Sequence, residues 1–428
     1  MSKKKFLFVS HDARSGDLAW KILQEGHHVK YFIKDPLEKE VYDGFIPKTD
    51  DWKNEIDWAD VIIFDDVKSG SEAAELRKKG KLVVGGSIYT DKLENDRAFG
   101  QQELKSMKIP IIPQQDFTSF DDAIEFVKKN KDKYVLKPSG KAQENKSLLY
   151  ISDEEDGQDL IQVLNDYKKA WSKKITSFQL QKRISGVEIA VGAFFDGHNF
   201  ITPININFEH KKLFPGELGP STGEMGTTMF WSNTNKIFNK TLKKFESRLA
   251  QEKYVGYIDI NCIVNSHGIY PLEWTARFGY PTMSIQQEGI LSELGDFFYK
   301  LANGENPKLK VKTGFQIGVV IVVPPFPFND KKTFEVQSKD SIVRLNGGTN
   351  GVHIADVKLV NGEWLVSGTQ GIVLTVCATG PTMKQAQSLA YKRISNINIP
   401  RMYYRDDIGN RWFEDSDKLH SWGYLREI

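Results

Sequence analysis

The sequence predicts a multidomain protein of mixed α/β and α+β class that begins with a doubly wound parallel α/β domain. Four short apolar runs near the N-terminus alternate with helix-period or polar segments, at residues 6–9, 29–33, 61–64 and 82–84. Short continuous apolar runs between helices are typical of a parallel sheet covered on both faces. At 428 residues, the chain is long enough for about three domains.

The first predicted domain spans residues 1–92. An apolar helical stripe follows the first strand, and Gly26 ends that helix. In doubly wound sheets, ligands bind beyond the carboxyl ends of the strands. We therefore expect a ligand edge at the loops 10–15 and 64–68.

The rest of the chain predicts two further domains. Residues 93–308 mix helices with short strands joined by turns, which indicates an α+β domain. Residues 309–428 predict a mixed β domain. In that domain Thr382 and Gln385 fit a capping box at the start of a helix.

Composition excludes several functional classes. With 58 Lys and Arg against 56 Asp and Glu, the net charge of +2 gives no electrostatic case for an obligatory nucleic acid or membrane partner. Cys262 and Cys377 lie in apolar runs, as buried free thiols of a reducing compartment do. The apolar runs are too short for a membrane span or a signal peptide. A soluble cytoplasmic protein is predicted.

One carboxylate and one arginine stand where an apolar strand ends, in the segment Glu273-Trp274-Thr275-Ala276-Arg277. Mg²⁺ prefers oxygen ligands and keeps phosphate oxygens as co-ligands, so Glu273 is a candidate metal ligand. Asp259 and Asn261 point to one face of the preceding strand, and a hairpin-like turn at 265–268 would bring Glu273 to that face. A strand-end ion pair is the alternative, and the pattern leaves both open.

Two further cations and a carboxylate are candidates for nucleotide binding. Lys137 ends a strand ahead of the polar loop 138–147, where its ammonium could neutralise phosphate. Arg97 lies on a preceding helix. Glu188 follows a turn at a strand edge, which suits a carboxylate that accepts hydrogen bonds from ribose hydroxyls. For Lys137 and Arg97 taken alone, an ordinary surface position is the alternative.

Four motifs, in order along the chain, carry a family resemblance. Arg14 with Leu18-Ala19-Trp20-Lys21 corresponds to Gly-Gly-Arg-Glu-His-Ala-Leu-Ala-Trp-Lys, and residues 219–226 correspond to Gly-Pro-Asn-Thr-Gly-Gly-Met-Gly. Residues 273–279 correspond to Glu-Phe-Asn-x-Arg-Phe-Gly, and residues 402–409 to Tyr-Tyr-Arg-x-Asp-Ile-Gly. The chain therefore resembles the phosphoribosylamine–glycine ligases, or glycinamide ribonucleotide synthetases, of the ATP-grasp superfamily.

The resemblance implies a central ATP-grasp domain whose lid is the subdomain at 113–180. It implies ATP with Mg²⁺ or Mn²⁺, with Glu273 as the principal metal ligand. Lys137 would contact ATP phosphates, and Arg97 stands where the family has its first phosphate-side lysine. The backbone of a hinge would read adenine, and Glu188 would bind ribose. The residues implied at the hinge are Gln181, Lys182 and Arg183.

The implied reaction joins a carboxylate such as glycine to an amine through an acyl phosphate, as in purine biosynthesis. Lys137 and Arg277 would carry catalysis, because cations stabilise a transferring phosphoryl group and a guanidinium can clamp a carboxylate or acyl phosphate in bidentate fashion. The implied partners are these small molecules, bound by a monomer or homodimer. The other residues at substrate positions are Arg14, Ser221, Thr222 and Gly223.

Three departures separate the chain from this family. Thr275 replaces the asparagine that shares the metal, so the second ligand would come from Asp259 or Asn261. The loop 141–147 lacks the usual glycines, which weakens backbone cradling of phosphate. Asp12-Ala13 replaces the twin glycine of the first βα turn, and an acidic side chain there should repel phosphate.

Three functions follow from the sequence. The first is a phosphoribosylamine–glycine ligase of an outlying branch. The second is a ligase of the same mechanism whose amine is not anchored by phosphate at Asp12. The third is a non-catalytic nucleotide-binding protein that has lost part of its metal site. Retention of Lys137, Glu188, Glu273 and Arg277 argues against the third.

Overall fold

In the computed structural model, which describes residues 3–140, 142 and 148–425, the chain divides into two units. The first unit comprises Met1–Asn95, Ile189–Asn261 and Trp274–Ile428. The second comprises Asp96–Glu188 and Cys262–Glu273. The multidomain α/β class is confirmed, whereas the predicted boundaries at 92 and 308 stay predictions.

Strands occur throughout the described chain. In order they are β1 (Lys5–Ser10), β2 (His28–Ile33), β3 (Val61–Phe64), β4 (Leu82–Val84), β5 (Gln114–Phe117), β6 (Tyr134–Pro138), β7 (Tyr150–Ile151), β8 (Phe178–Lys182), β9 (Val187–Phe195), β10 (Ile204–Phe214), β11 (Leu218–Ser232), β12 (Gly256–Asn265), β13 (Gly268–Thr275), β14 (Phe315–Val322), β15 (Arg344–Leu345), β16 (Val352–Ile354), β17 (Val357–Val360), β18 (Glu363–Val366), β19 (Ile372–Gly380) and β20 (Ile397–Asn398).

Helices separate most of these strands. In order they are α1 (Gly16–Gln24), α2 (Gly70–Lys78), α3 (Ile88–Asn95), α4 (Arg97–Ser106), α5 (Phe120–Lys129), α6 (Gln158–Ala170), α7 (Lys236–Lys240), α8 (Glu246–Gln251), α9 (Thr282–Gly289), α10 (Leu294–Ala302), α11 (Lys331–Gln337), α12 (Met383–Ile394) and α13 (Trp412–Ser421). None of the described helices is long and apolar enough to cross a membrane.

The first unit opens with the predicted parallel sheet, in the order β2-β1-β3-β4. Consecutive residues Phe6, Leu7 and Phe8 of β1 are fully buried. Burial of successive side chains means that both faces of the strand are covered, as expected for a doubly wound sheet. Helix α1 ends just before Gly26, whose φ of +90° suits the left-handed conformation beyond a helix end.

A sheet of eight strands has the order β13-β12-β9-β10-β11-β14-β19-β16, and most of its residues belong to the first unit. Neighbours β10 and β11, and β14 and β19, run antiparallel, and helices α9 and α12 pack on β14 and β19. Thr382 caps α12 by accepting a hydrogen bond from Gln385 N at 3.3 Å, as the capping box predicts. Cys262 and Cys377 are buried and form no disulfide with each other.

The second unit contains an antiparallel sheet in the order β5-β8-β6-β7. Leu136 and Leu180 are paired across β6 and β8 and belong to an apolar core that also contains residues of α5 and α6. Side chains alternate between the faces of a strand. The neighbours of these leucines therefore lie on the other face, which is polar.

A buried arginine fixes the turn between β10 and β11. Arg405 is fully buried and donates to Asp407 Oδ1 and Glu217 Oε1, each at 2.8 Å. It also donates to the carbonyl oxygen of Lys212 at 2.9 Å. Asp407 accepts from Gly216 N at 2.9 Å. The 402–409 motif thus stabilises the turn that leads into β11.

Arg405→Lys should lower the free energy of unfolding by roughly 2–3 kcal/mol. Lysine keeps the charge but cannot form the planar fork that serves both carboxylates, and complete loss of a buried partner costs about 3–5 kcal/mol. Urea unfolding followed by circular dichroism measures the change. The matched control is Arg344→Lys, at an exposed arginine, which should stay within about 0.5 kcal/mol of the wild type. Equal effects of the two changes would contradict a special role for Arg405.

Candidate active site

The polar face of the second unit's sheet places several predicted nucleotide ligands together. Cross-strand pairing sets Asp116 of β5 beside Gln179 of β8, and Gln179 beside Lys137 of β6. Paired residues share a face. Gln179 Nε2 donates to Asp116 Oδ1 at 3.0 Å, and Gln181, two residues further along β8, faces the same way.

Arg97, the first residue of α4, adds a cation to this unit. Its Nη1 donates to the carbonyl oxygen of Pro138, next to Lys137, at 3.0 Å. Burial lowers the pKa of Arg97, and the carboxylates of Glu273 and Asp116 oppose that shift. Arg97 and Glu273 therefore interact electrostatically within the second unit. Residues 141 and 143–147 of the following loop, including Lys146, lie outside the described residues.

Two backbone N–H groups of the predicted adenine hinge already donate hydrogen bonds within the protein. Lys182 N donates to Pro113 O and Arg183 N donates to Lys133 O, each at 2.8 Å. The side chain of Gln181 is buried. Contact with an adenine through these two N–H groups would require breaking existing bonds, so carbonyl oxygens are the better candidates. The hinge role stays a prediction.

Glu188 is half-buried next to a tightly packed turn. Asn265 Nδ2 donates to the carbonyl oxygen of Ser185 at 2.9 Å. A Cβ atom at Gly186 would lie 2.5 Å from the carbonyl oxygen of Val264, so only glycine allows the turn to approach β12 this closely. The turn thereby holds the start of β9, and with it Glu188, in a fixed position.

In the first unit, a buried polar stripe crosses the large sheet. Asp259 and Asn261 alternate along β12, and Asn205 and Asn207 alternate along β10. Between them, β9 presents Gly192, at which a Cβ atom would lie 2.6 Å from Asp259 Cβ. The missing side chain makes room for Asp259.

Three carboxylates interact near this stripe: Glu209, Glu224 and Asp259. Burial raises the pKa of Glu224 and of Asp259 well above their ordinary values, and Glu209 raises both further. Asn261 Nδ2 donates to Glu209 Oε2 at 3.2 Å, and Lys211 Nζ lies 3.2 Å from the same oxygen. We call Glu209, Glu224 and Asp259 the carboxylate cluster. A cationic group of a ligand would stabilise the charged forms of these acids.

Arg277 is a cation that acts on this cluster and lowers the pKa values of Glu224 and Asp259. Burial would lower the pKa of Arg277 itself, but Glu94 and Asp66 raise it. Arg277 Nε lies 3.2 Å from Glu94 Oε1 and 3.6 Å from Asp66 Oδ1. Its guanidinium is therefore charged and held in place.

The predicted metal ligands fall in both units, Glu273 in the second and Asp259 and Asn261 in the first. Thr275 forms a hydrogen bond with Asp259 and lowers its pKa. Asp259 Oδ1 is buried without a hydrogen-bond partner among the described residues, which a bound cation or ammonium would satisfy. Over the described ranges, no group of three or more His, Cys, Asp and Glu side chains is arranged to hold a metal. The ligand set stays a prediction.

The predicted substrate residues on β11 differ in exposure. Thr222 is buried and its hydroxyl donates to the carbonyl oxygen of Lys211 at 2.8 Å. Ser221 is half-buried and Gly223 is exposed. Thr222 therefore shapes the hairpin, while its two neighbours are the more accessible to a substrate.

Arg14 lies in the loop after β1. Its Nη2 donates to Gln370 Oε1 at 3.2 Å and lies 3.6 Å from Asp12 Oδ2. The acidic residue that replaces glycine in this turn thus pairs with the arginine that the resemblance assigns to substrate.

Sequence reasoning missed Glu209, Glu224 and Glu94. Glu224 stands where the family's Gly-Gly-Met-Gly has its second glycine, so that departure could have identified it. No sequence motif marks Glu209 or Glu94. Only the fold brings Glu209 near Asp259 and Glu94 near Arg277.

Asp65, at the carboxyl end of β3, forms a second buried network. Ser15 Oγ donates to Asp65 Oδ2 at 2.6 Å, and Tyr31 Oη lies 3.3 Å from the same oxygen. Tyr280 Oη donates to the carbonyl oxygen of Asp65 at 3.1 Å. Burial raises the pKa of Asp65 to about 6, although the bonds from Ser15 lower it. This network links the predicted ligand edge of the first sheet to the segment that carries Arg277.

Comparison with known proteins gives consistent matches. Residues 95–283 match the family described as phosphoribosylglycinamide synthetase, ATP-grasp (A) domain, and residues 316–411 match its C domain. Phosphoribosylamine–glycine ligase of Clostridium acetobutylicum is 25% identical, covering 95% of this chain and 99% of that protein. The enzyme of that name from Halalkalibacterium halodurans is 25% identical over 78% of each chain. The crystal structure of phosphoribosylamine–glycine ligase from Thermotoga maritima superposes with a TM-score of 0.69 at 20% identity, covering 94% of this chain and 100% of that one.

Asp65→Asn should remove part of the pH dependence of stability. The folded-state pKa of Asp65, about 6, exceeds its ordinary value of 3.8, so the folded protein binds this proton more tightly than the unfolded chain. The resulting stabilisation, up to about 3 kcal/mol, is present below pH 4 and is lost as the pH rises through 6. The free energy of unfolding, measured with urea at pH 4.5 and pH 7, should therefore fall less between these two pH values in the variant than in the wild type. The control is Asp50→Asn, because Asp50 is exposed. If Asp65→Asn shows the same pH dependence of stability as the wild type, the pKa of Asp65 is not raised in the folded protein.

Proposed function

Because the chain is a divergent member of the phosphoribosylglycinamide synthetase family of ATP-grasp proteins, we propose that it is an ATP-dependent carboxylate–amine ligase. Its carboxylate substrate is a small amino acid such as glycine, and the product is an amide. The reaction type is that of the phosphoribosylamine–glycine ligases, which belongs to purine biosynthesis.

The observation that carries this proposal is the charge arrangement around Arg277. An amino acid presents a carboxylate and an ammonium a few bonds apart. A guanidinium can bind the carboxylate. The carboxylate cluster, in which the pKa values of Glu224 and Asp259 stay raised despite Arg277, can receive the ammonium, which would stabilise the charged forms of these acids. Such an arrangement suits a zwitterion better than a simple anion.

In the proposed reaction, a carboxylate oxygen of the amino acid attacks the γ-phosphorus of ATP and ADP departs. The amine nitrogen then attacks the acyl carbon of the acyl phosphate, inorganic phosphate leaves, and the nitrogen loses a proton. Arg277 orients the carboxylate and stabilises charge on the acyl phosphate. Lys137 and Arg97 place positive charge against the ATP phosphates.

A divalent cation would neutralise phosphate oxygens when bound. Glu273 is the proposed main ligand, because it is exposed and already interacts with the cation Arg97. Asp259 and Asn261, which the sequence offers as sources of a second ligand, stay predictions. A cytoplasmic location, a monomeric or dimeric state and independence from nucleic acid remain predictions.

Trapping with hydroxylamine tests this function without knowledge of the natural amine. Hydroxylamine attacks an acyl phosphate to give a hydroxamate, which forms a coloured iron complex. We expect glycine, Mg²⁺-ATP and hydroxylamine to give hydroxamate and ADP in equal amounts. A protein that binds ATP but yields neither product would be a non-catalytic nucleotide-binding protein, the third hypothesis from the sequence.

Arg277→Lys should lower the rate of hydroxamate formation about 100-fold, because loss of a positioned donor to developing charge typically has this effect. Lysine preserves the charge that balances Glu94 and Asp66. The variant's circular dichroism spectrum reports whether it is folded, and exposed Arg344→Lys is the control. A folded variant with the wild-type rate would rule out the clamp.

Lys137→Met should raise the KM for ATP about 10-fold to 100-fold, since hydrogen bonds to charged groups contribute about 1.5–3 kcal/mol. Methionine preserves most of the side chain's length. Lys129→Met is the matched control, because Lys129 is 76% exposed. An equal KM in the two variants would remove Lys137 from the nucleotide site.

A further inference from the structure

A second group of acidic side chains lies in the first unit, beside the loop that carries Arg14. We define the acidic pocket as Arg14, Glu38, Asp356, Thr369 and Gln370. Glu38 interacts electrostatically with Asp356 and with Arg14, Thr369 Oγ1 donates to Glu38 Oε1, and Arg14 donates to Gln370. Neither Glu38 nor Asp356 figured among the residues predicted from the sequence.

Both acids of the pocket are buried and incompletely bonded. Glu38 is 2% exposed and Asp356 is 8% exposed. Glu38 Oε2 and Asp356 Oδ2 each lack a hydrogen-bond partner within the described part of the chain. Buried carboxylate oxygens without donors are costly. These oxygens are therefore suited to receive donors from a ligand.

A glycine brings these two carboxylates close to one point. Gly368 has φ +76°, and a Cβ atom built there would lie 2.6 Å from Glu38 Oε2 and 3.2 Å from Asp356 Cγ. Any other side chain would fill this space and would strain the backbone. Glu38 and Asp356 therefore pack closely against the backbone of Gly368, where only glycine fits.

The charge around the pocket is negative. Asp12 adds to the electrostatic repulsion on both acids, and Asp35 adds to that on Glu38. Arg14 opposes them but is itself paired with Asp12 at 3.6 Å. Burial and these neighbouring acids raise the pKa values of Glu38 and Asp356. An ammonium would stabilise the charged forms of both acids and could donate three hydrogen bonds, whereas a phosphate group would offer them no counter-charge.

The pocket lies along the loop that leads towards Arg277. Ser15, next to Arg14, bonds to Asp65, and Asp65 accepts a hydrogen bond from Tyr280. Asp66, the next residue, lies 3.6 Å from Arg277. A substrate amine that attacks an acyl phosphate at Arg277 could thus extend along this edge of the first sheet.

We propose that the acidic pocket binds a second, cationic amino group on the amine substrate, in place of a phosphate. The proposal rests on the proposed ligase function and names the class of amine that it uses. A diamine would direct one nitrogen to the acyl phosphate and its distant ammonium to Glu38 and Asp356. This assignment accounts for an acidic residue at position 12, where an anchor for phosphate would need the reverse charge.

Calorimetry on the full chain tests the binding step, with 1,4-diaminobutane and ribose 5-phosphate as probes. We expect the diamine to bind the wild type and ribose 5-phosphate to bind at least tenfold more weakly. Glu38→Gln and Asp356→Asn, which preserve shape but remove charge, should each weaken diamine binding at least tenfold. Glu55→Gln is the matched control, because Glu55 pairs with Lys30 outside the pocket.

Two results would overturn the proposal. One is tighter binding of ribose 5-phosphate than of the diamine, with loss of that binding in Arg14→Ala. The other is unchanged diamine affinity in both acid variants, which would mean that Glu38 and Asp356 form a structural pair that shares a proton.

Amide formation separates this inference from the ligase function itself. The wild type with glycine and Mg²⁺-ATP should convert 1,4-diaminobutane to a glycyl amide at least tenfold faster than 1-aminobutane at equal concentration. Hydroxamate formation without this preference would refute the cationic subsite and leave the ligase intact. Absence of hydroxamate would refute the ligase, while diamine binding by calorimetry would still report on the pocket.

Discussion

The half-buried guanidinium of Arg277 is the group on which the first unit's charged residues depend. Its Nε lies 3.2 Å from Glu94 Oε1 and 3.6 Å from Asp66 Oδ1, and the guanidinium lowers the pKa values of Glu224 and Asp259. Buried carboxylates are unfavourable without a counter-charge. One cation therefore stabilises acids from several separate segments of the chain.

Glycines provide the space that these charges need. Gly192 leaves room for Tyr257 and Asp259, Gly186 lets a turn approach β12, and Gly368 lets Glu38 and Asp356 pack against the backbone. In each place a side chain would meet a neighbouring atom within about 3 Å, closer than packed atoms approach. The close packing of these charged groups thus depends on glycine.

Much of the framework could be predicted from local patterns. Continuous apolar runs predicted the parallel sheet because both faces of those strands are covered. Lys137 was predicted near a strand end, and it lies in the last two residues of β6. The hairpin at 265–268 also formed as its polar turn predicted. Charge neighbours could not be predicted in this way. Glu94 is more than 180 residues from Arg277 along the chain, and no local period relates the two.

The sequence by itself determined the N-terminal parallel sheet, through its apolar runs, and the family, through the resemblance of its motifs. It also marked Lys137, Glu188, Glu273 and Arg277 as candidate site residues. Only the tertiary structure decided which charges oppose one another. It joined Thr275 to Asp259 and set Glu38 against Asp356. Electrostatic energy depends on distance and burial in space, and neither is fixed by separation along the chain.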